Sequence, residues 1–167
     1  MPDIVDDNVA CLRQGIELLQ QLNNETFAKC CEPCFSSSIG QHLRHSIDHA
    51  YCFLRGMPIG HIDYDARARD PRLETDVAYA SAALQELANE LATITDDDLE
   101  RPVAVIMDSG AALPVPAQST VRRELQFLLS HTVHHYALIN VIRSIQRGST
   151  PKDFGVAPST IKHQLAD

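Results

Sequence analysis

The sequence predicts an all-α fold, a four-helix bundle formed as a single domain from residues 1–167. Two observations indicate this class. Four stretches of about 18 to 28 residues carry apolar side chains at helical spacing. The composition, with 44% hydrophobic and 22% charged residues, is typical of a globular domain that buries its own core.

The first two predicted helices are bounded by local signals. The first covers residues 4–22, and Asn23 follows it as a stop signal. The second begins after the serines at 36–38, which offer N-caps, and ends at Gly56. Its apolar stripe consists of Ile39, Leu43, Ile47, Ala50 and Leu54.

The second half of the chain carries the other two helices. A polar segment at 57–73, long for a loop in a compact domain, precedes a third helix at 75–92. Residues 101–117 interrupt the helical pattern and predict a small β-hairpin or an extended insertion. The last long helix then runs from about residue 119 to a point before Gly148.

Charge and composition limit the partners that we expect. The net charge of -8 argues against nucleic acid, and no apolar run approaches the roughly 20 residues of a membrane span. The acidic N-terminus does not resemble a signal peptide, so we expect a cytoplasmic protein. Cys30, Cys31 and Cys34 include a single CxxC, for which packing is the simpler interpretation than metal or redox chemistry.

Two histidines stand out on the last long helix. His131 and His135 lie between Leu128 and Leu138 at spacings of three, four and three residues, so we place them in the apolar seam. Two imidazoles in an apolar seam are costly unless something binds their nitrogens. Histidines four residues apart on one helix can bind one metal ion together, and we predict that this pair does so. His134 lies off the seam.

The second helix offers three further histidines. His42, His45 and His49 follow one another at spacings of three and four residues, along the edge of the apolar stripe. His42 and His49 lie nearer the stripe than His45, but periodicity alone leaves the ligand open. Asp48 follows His45 by almost one turn and is a candidate acceptor that orients an imidazole.

The chain resembles the DinB/YfiT-like superfamily from its first helix to about Arg147. Two segments carry the resemblance, SIGQHLRHSIDH at 38–49 and LSHTVHH at 129–135. The resemblance implies a four-helix bundle in which one histidine of the second helix and an HxxxH pair of the fourth hold a divalent ion, zinc or nickel most often.

In that pattern the pair corresponds to His131 and His135. The third ligand corresponds best to His45, because Asp48 and Phe53 then fall where the superfamily tends to place an acid and a bulky aromatic residue. His49 is kept as the reserve ligand.

The resemblance also implies activities. It includes metal-dependent hydrolases and transferases that use a low-molecular-weight thiol such as bacillithiol, mycothiol or glutathione, both acting on small molecules. Asp48, His49, His134 and Tyr51 are then candidates for proton transfer or orientation.

Two other interpretations stay open. One is a non-catalytic metal-binding or stress-response protein, and the other is a helical dimer module with redundant histidines. Some members of the superfamily pair as homodimers, which extends that option to this chain.

Overall fold

The computed structural model describes residues 4–34, 36–108, 110 and 115–166. Within these residues the protein is mainly helical. Four long helices correspond to the four predicted ones, and their observed ends lie within a few residues of the predicted ends. The α-helices are α1 (Ile4–Leu19), α2 (Asn24–Ala28), α3 (Ile39–Gly56), α4 (Val77–Leu91), α5 (Asp96–Leu99), α6 (Val121–Ile145) and α7 (Pro158–Gln164).

The helices that carry the histidines begin at side-chain caps. At the start of α3 the Ser38 hydroxyl accepts from the Gln41 backbone N–H, and the Gln41 side chain accepts from the Ser38 backbone N–H. At the start of α6 the Thr120 side chain accepts from the Arg123 backbone N–H. These bonds satisfy backbone donors that a helix leaves free, which explains why both helices begin where they do.

The long helices share one apolar core. α1 and α3 each contact both α4 and α6. Side chains from all four helices are completely buried between them, among them Leu18, Leu43, Ile47, Leu84, Leu87, Leu125 and Ile139. The two helices that carry the histidines, α3 and α6, pack directly against each other. No described helix is long and apolar enough to cross a membrane.

A three-stranded sheet makes the fold mainly helical rather than all-α. Its strands are β1 (His61–Asp63), β2 (Pro102–Ile106) and β3 (Ala117–Thr120). The predicted hairpin corresponds to β2 and β3, which pair antiparallel. The second arm begins later than expected, at Ala117, directly after Pro116, which has no N–H to donate to the ladder. Residues 109 and 111–114 of the predicted insertion lie outside the described residues.

Strand β1 falls in the segment that the sequence predicts as a polar loop. It pairs parallel with β2, with Ile62 opposite Val105. After β1 the chain continues to a short 3-10 helix, Pro71–Glu74, which lies against the start of α3. The contact is so close that a Cβ on Gly40 would clash with the Glu74 carbonyl oxygen. The segment between β1 and this turn is thereby held beside the histidines of α3.

Candidate metal centre

Three histidines from two helices form a cluster. One ring nitrogen each of His45 on α3 and of His131 and His135 on α6 lie within 4.8 Å of one another. The ring centroids of His45 are 5.0 Å from His131 and 4.7 Å from His135, and the latter two are 4.6 Å apart. The sequence-predicted ligand trio is therefore brought together.

The apolar seam of α6 does not run through this cluster, which corrects the sequence interpretation. Thr132, Tyr136 and Ile139 are the buried residues that follow Leu128, whereas His131 and His135 are only partly buried. Spacings of three and four residues from Leu128 fit both series equally well. The histidines lie at the edge of the core and face α3.

His42 and His49 flank the cluster and are more buried than His45, as the helical stripe predicts. The Nδ1–H of His49 donates to the His45 carbonyl oxygen at 2.9 Å, because a carbonyl can only accept. Its ring centroid lies 4.2 Å from that of His131 and 5.4 Å from the stacked ring of Tyr64. His49 therefore packs behind the cluster with Nε2 left as its basic nitrogen.

His42 contacts the cluster from the other side. Its Nδ1 lies 3.0 Å from Nδ1 of His135, and its Nε2 lies 2.7 Å from the Ser37 hydroxyl. The Ser37 hydroxyl in turn donates to the Cys34 carbonyl oxygen. The short segment before α3 is thus linked to a ligand on α6.

The segment after β1 adds a cation that the sequence analysis did not assign. Nη1 of Arg67 lies 3.1 Å from Nδ1 of His45, and since a guanidinium has no acceptor, His45 Nδ1 accepts this bond. Nε of Arg67 is buried without a hydrogen-bond partner, and no carboxylate in the described chain pairs with this side chain. The polar character of 57–73 and its length for a loop were the signals that pointed to this segment.

A buried hydrogen-bond group holds the same segment against α6. The Tyr64 hydroxyl donates to one carboxylate oxygen of Glu124 at 2.9 Å, and the Ser119 hydroxyl donates to the other at 2.6 Å. Tyr64 and Glu124 are 1% and 6% exposed, so these bonds are shielded from water.

Burial keeps the clustered imidazoles neutral. It lowers the pKa of His45 to about 4, with His49 and then Arg67 adding to the effect. It lowers the pKa of His131 to about 3, followed by the influence of His49 and His45. Burial and then His131 lower the pKa of His135 as well. At neutral pH each ring therefore carries one lone pair. On His45 that lone pair is on Nδ1, so a metal ion bound there would replace the hydrogen bond from Arg67.

The donor set fits a divalent transition metal. Three neutral imidazole nitrogens suit zinc, nickel or copper and not magnesium or calcium, which prefer oxygen ligands. Nδ1 of His131 is buried and has no hydrogen-bond partner among the described residues. A buried polar atom without a partner is costly, and a metal ion near the cluster would compensate for it.

The family model of the DinB superfamily matches residues 13–139, about three quarters of the chain. This chain belongs to the DinB superfamily. A solved DinB-like protein, YjoA from Bacillus subtilis, superimposes with a TM-score of 0.63, covering 90% of this chain and 96% of that one. At 19% sequence identity, that similarity shows a shared fold.

A second relative is a longer protein. FK506-binding protein 5 of Rhizopus delemar is 31% identical over 105 residues, which cover 61% of this DinB-superfamily chain. The matched region spans only 27% of the Rhizopus protein.

Two other predicted site residues of this DinB-superfamily chain, Asp48 and Tyr51, lie outside the three-histidine cluster. Asp48 pairs with Arg44 at 3.1 Å, and the Tyr51 hydroxyl donates to Glu86. Asp48 and Tyr51 line a cleft of about 430 Å³ that the three clustered histidines do not line. Asp48 makes no hydrogen bond or ion pair with an imidazole among the described residues, but its charge acts to raise the pKa of His49 against the larger effect of burial. Its role in orienting a ligand stays a prediction.

The remaining predicted residues are His134 and the three cysteines before α3. His134 is exposed, and its ring is edge-on to His135 at 5.2 Å. Cys31 and Cys34 are buried and Cys30 is exposed, and all three are free thiols. Their position before α3 agrees with a packing role for the two buried ones.

Proposed function

We propose that this chain is a metal-dependent enzyme in which His45, His131 and His135 hold one zinc or nickel ion inside a four-helix bundle of α1, α3, α4 and α6. The observation that carries the proposal is the convergence of three nitrogen atoms within 4.8 Å on rings that burial keeps neutral. The superfamily assignment supports the same site.

Three protein ligands leave a coordination position for a reactant. When bound, a divalent ion supplies Lewis acidity there, lowering the pKa of a water molecule or of a small thiol. We therefore propose either hydrolysis or transfer of a low-molecular-weight thiol, both on a small-molecule substrate.

His49 is the group best placed to move a proton in this site. Its Nδ1–H is committed to the His45 carbonyl, so its Nε2 carries the lone pair. The ring lies 4.2 Å from that of His131 and 4.5 Å from that of His45. A neutral imidazole at this distance can accept a proton from a reactant held beside the ligands.

Arg67 gives the site a fixed positive charge. Its guanidinium reaches the cluster from the segment after β1 and has no carboxylate partner in the described part of the chain. A guanidinium forks around a carboxylate or phosphate through paired hydrogen bonds. We therefore expect the substrate to carry a negative group that Arg67 orients.

The first test is elemental analysis of protein purified without a histidine tag, compared with the His131→Ala/His135→Ala double variant. We expect about one equivalent of zinc or nickel in the wild type and none in the double variant. His61→Ala, which removes an exposed histidine in β1, serves as the matched control and should retain the metal. A wild-type protein that stays metal-free after reconstitution would contradict the proposal.

The close approach of His49 also favours a second candidate, a non-catalytic metal-binding protein with a closed, four-histidine site. His49→Ala separates the two functions. In the enzyme it should leave the metal affinity within a few-fold and reduce turnover by about 10²-fold or more. In the closed site it should weaken metal binding as strongly as loss of His131 does.

A further inference from the structure

A directed chain of hydrogen bonds ends on one of the three clustered histidines. It starts at the Cys34 carbonyl and passes through Ser37 and His42 to His135. The direction of every bond follows from which groups can donate, so the chain determines where the proton of each ring lies.

The direction is set at Ser37. A carbonyl oxygen can only accept, so the Ser37 hydroxyl donates its single proton to the Cys34 carbonyl. The Ser37 oxygen must then act as the acceptor in its 2.7 Å contact with Nε2 of His42. Nε2 of His42 therefore carries the hydrogen.

The same logic continues to α6. A neutral imidazole carries one N–H, so Nδ1 of His42 is left with its lone pair. Nδ1 of His135 lies 3.0 Å away and must donate to it. His135 is thus protonated on Nδ1, and its lone pair is on Nε2.

We infer that His42 is a positioning residue that, together with Ser37, fixes the tautomer of His135 and makes Nε2 its metal-binding atom. The inference rests on the proposed metal site and adds two residues that hold a ligand without touching the metal. Partners of this kind are usually a carboxylate, a carbonyl or water. Here a second histidine takes that role.

The segment before α3 is built to hold Ser37 in place. The backbone N–H of Cys31 donates to the Ser37 carbonyl, and the Ser37 N–H donates to the Cys34 carbonyl, each at 3.0 Å. These bonds hold the backbone of Ser37, whose hydroxyl reaches Nε2 of His42. The structural value of the cysteine-rich segment then lies in its backbone, which presents this hydroxyl to His42.

The other α6 ligand and the α3 ligand lack this arrangement. Nδ1 of His131 has no partner in the described structure, and Nδ1 of His45 accepts from Arg67. Of the three clustered rings, His135 is the one whose N–H donates to another side chain in the described structure, so that its second nitrogen is left bare. We expect His42 to act on metal affinity through His135 alone.

Zinc affinity of the full chain, measured by competition with a chromophoric chelator, is the first measurement. His42→Phe keeps a ring of similar size and removes the acceptor, and it should weaken zinc binding about 10- to 100-fold. His42→Asn places an amide oxygen near the position of Nδ1 and should restore most of the loss. Ser37→Ala should cost a smaller factor. Ser46→Ala removes a buried hydroxyl whose hydrogen bond in the described structure goes to the α3 backbone, and it should cost nothing.

The second measurement is the tautomer of His135 in the metal-free protein, read from imidazole ¹⁵N shifts. We expect hydrogen on Nδ1 and a bare Nε2 in the wild type, and a mixture of tautomers in His42→Phe. This readout needs no metal, so it does not depend on zinc binding by the variants. If His42→Phe misfolds, Ser37→Ala provides the second test, because it should shift the same His135 signals.

Two results would overturn the inference: wild-type zinc affinity in His42→Phe, or a metal-free His135 protonated on Nε2. Failure of the proposed function is a different outcome. It would show as a wild-type chain without metal affinity, and the ¹⁵N spectrum would still decide whether His42 sets the tautomer.

Discussion

Lowering the pH should destabilise the metal-free protein well before its carboxylates titrate. In the unfolded chain a histidine takes up a proton near pH 6.5. In the folded protein the pKa of His45 is lowered to about 4 and that of His131 to about 3. Between these limits the unfolded state binds more protons than the folded state, so stability falls as the pH falls. The contribution is complete above about pH 7.5.

The magnitude follows from linkage. Each histidine with a lowered pKa costs about 1.4 kcal/mol for every pH unit below the unfolded value. His45, His131 and His135 together would then cost about 4 kcal/mol at pH 5.5. Because the three side chains are only partly buried, solvent screening reduces this to about 2–4 kcal/mol. A domain of total stability near 5–15 kcal/mol loses a large part of its margin.

The assay is urea unfolding in the presence of a chelator at pH 7.5, 6.5 and 5.5. His135→Phe, which removes one of the titrating rings, should flatten the pH dependence by about one proton. His61→Gln removes an exposed histidine and should leave the slope unchanged. A free energy of unfolding that stays constant between pH 6.5 and 5.5 would refute the argument from burial.

Three further outcomes are expected. Tyr64→Phe leaves the buried Glu124 carboxylate with one hydrogen bond fewer, so urea unfolding should show a loss of about 1–3 kcal/mol, and an unchanged midpoint would contradict this. Arg67→Gln removes a positive charge and a donor from His45, so zinc competition should show tighter binding, by about fivefold, while weaker binding would show that Arg67 supports the site. Free zinc at about 100 times its dissociation constant should raise the unfolding free energy by about 2.7 kcal/mol, and that increase should vanish in His131→Ala.

The sequence predicted well those features that depend on residues close together in the chain. Ser38 predicts the start of α3 and Gly56 predicts its end, and each lies within one residue of the observed end of the helix. His131 and His135 are four residues apart on one helix, so their shared direction needs no knowledge of the fold. The superfamily resemblance then selected His45 over its neighbours, and the clustered nitrogens agree with that choice.

The features that it predicted poorly depend on distant partners. The sequence places His131 and His135 in the apolar seam of α6. The same spacing fits Thr132 and Tyr136 equally well, and only the packing of α6 against the other helices shows which series is buried. Strand β1 has three residues, too few for an alternating pattern. The contact of His42 with His135 joins residues 93 positions apart, which no local pattern records.

The site divides its parts between two kinds of structure, and this division has an evolutionary consequence. The nitrogens come from helices, whereas Arg67 comes from the segment between β1 and the 3-10 turn at 71–74. Each end of that segment is held by a hydrogen bond. The Tyr64 N–H donates to the Ile106 carbonyl, and the Asp70 carboxylate accepts from the Arg72 N–H. Substitutions in residues 65–69 change the charge beside His45 without changing the apolar contacts that pack α3 against α6. We therefore expect relatives with the proposed metal site to vary in this segment, and in the substrates they accept, more readily than in the three histidines.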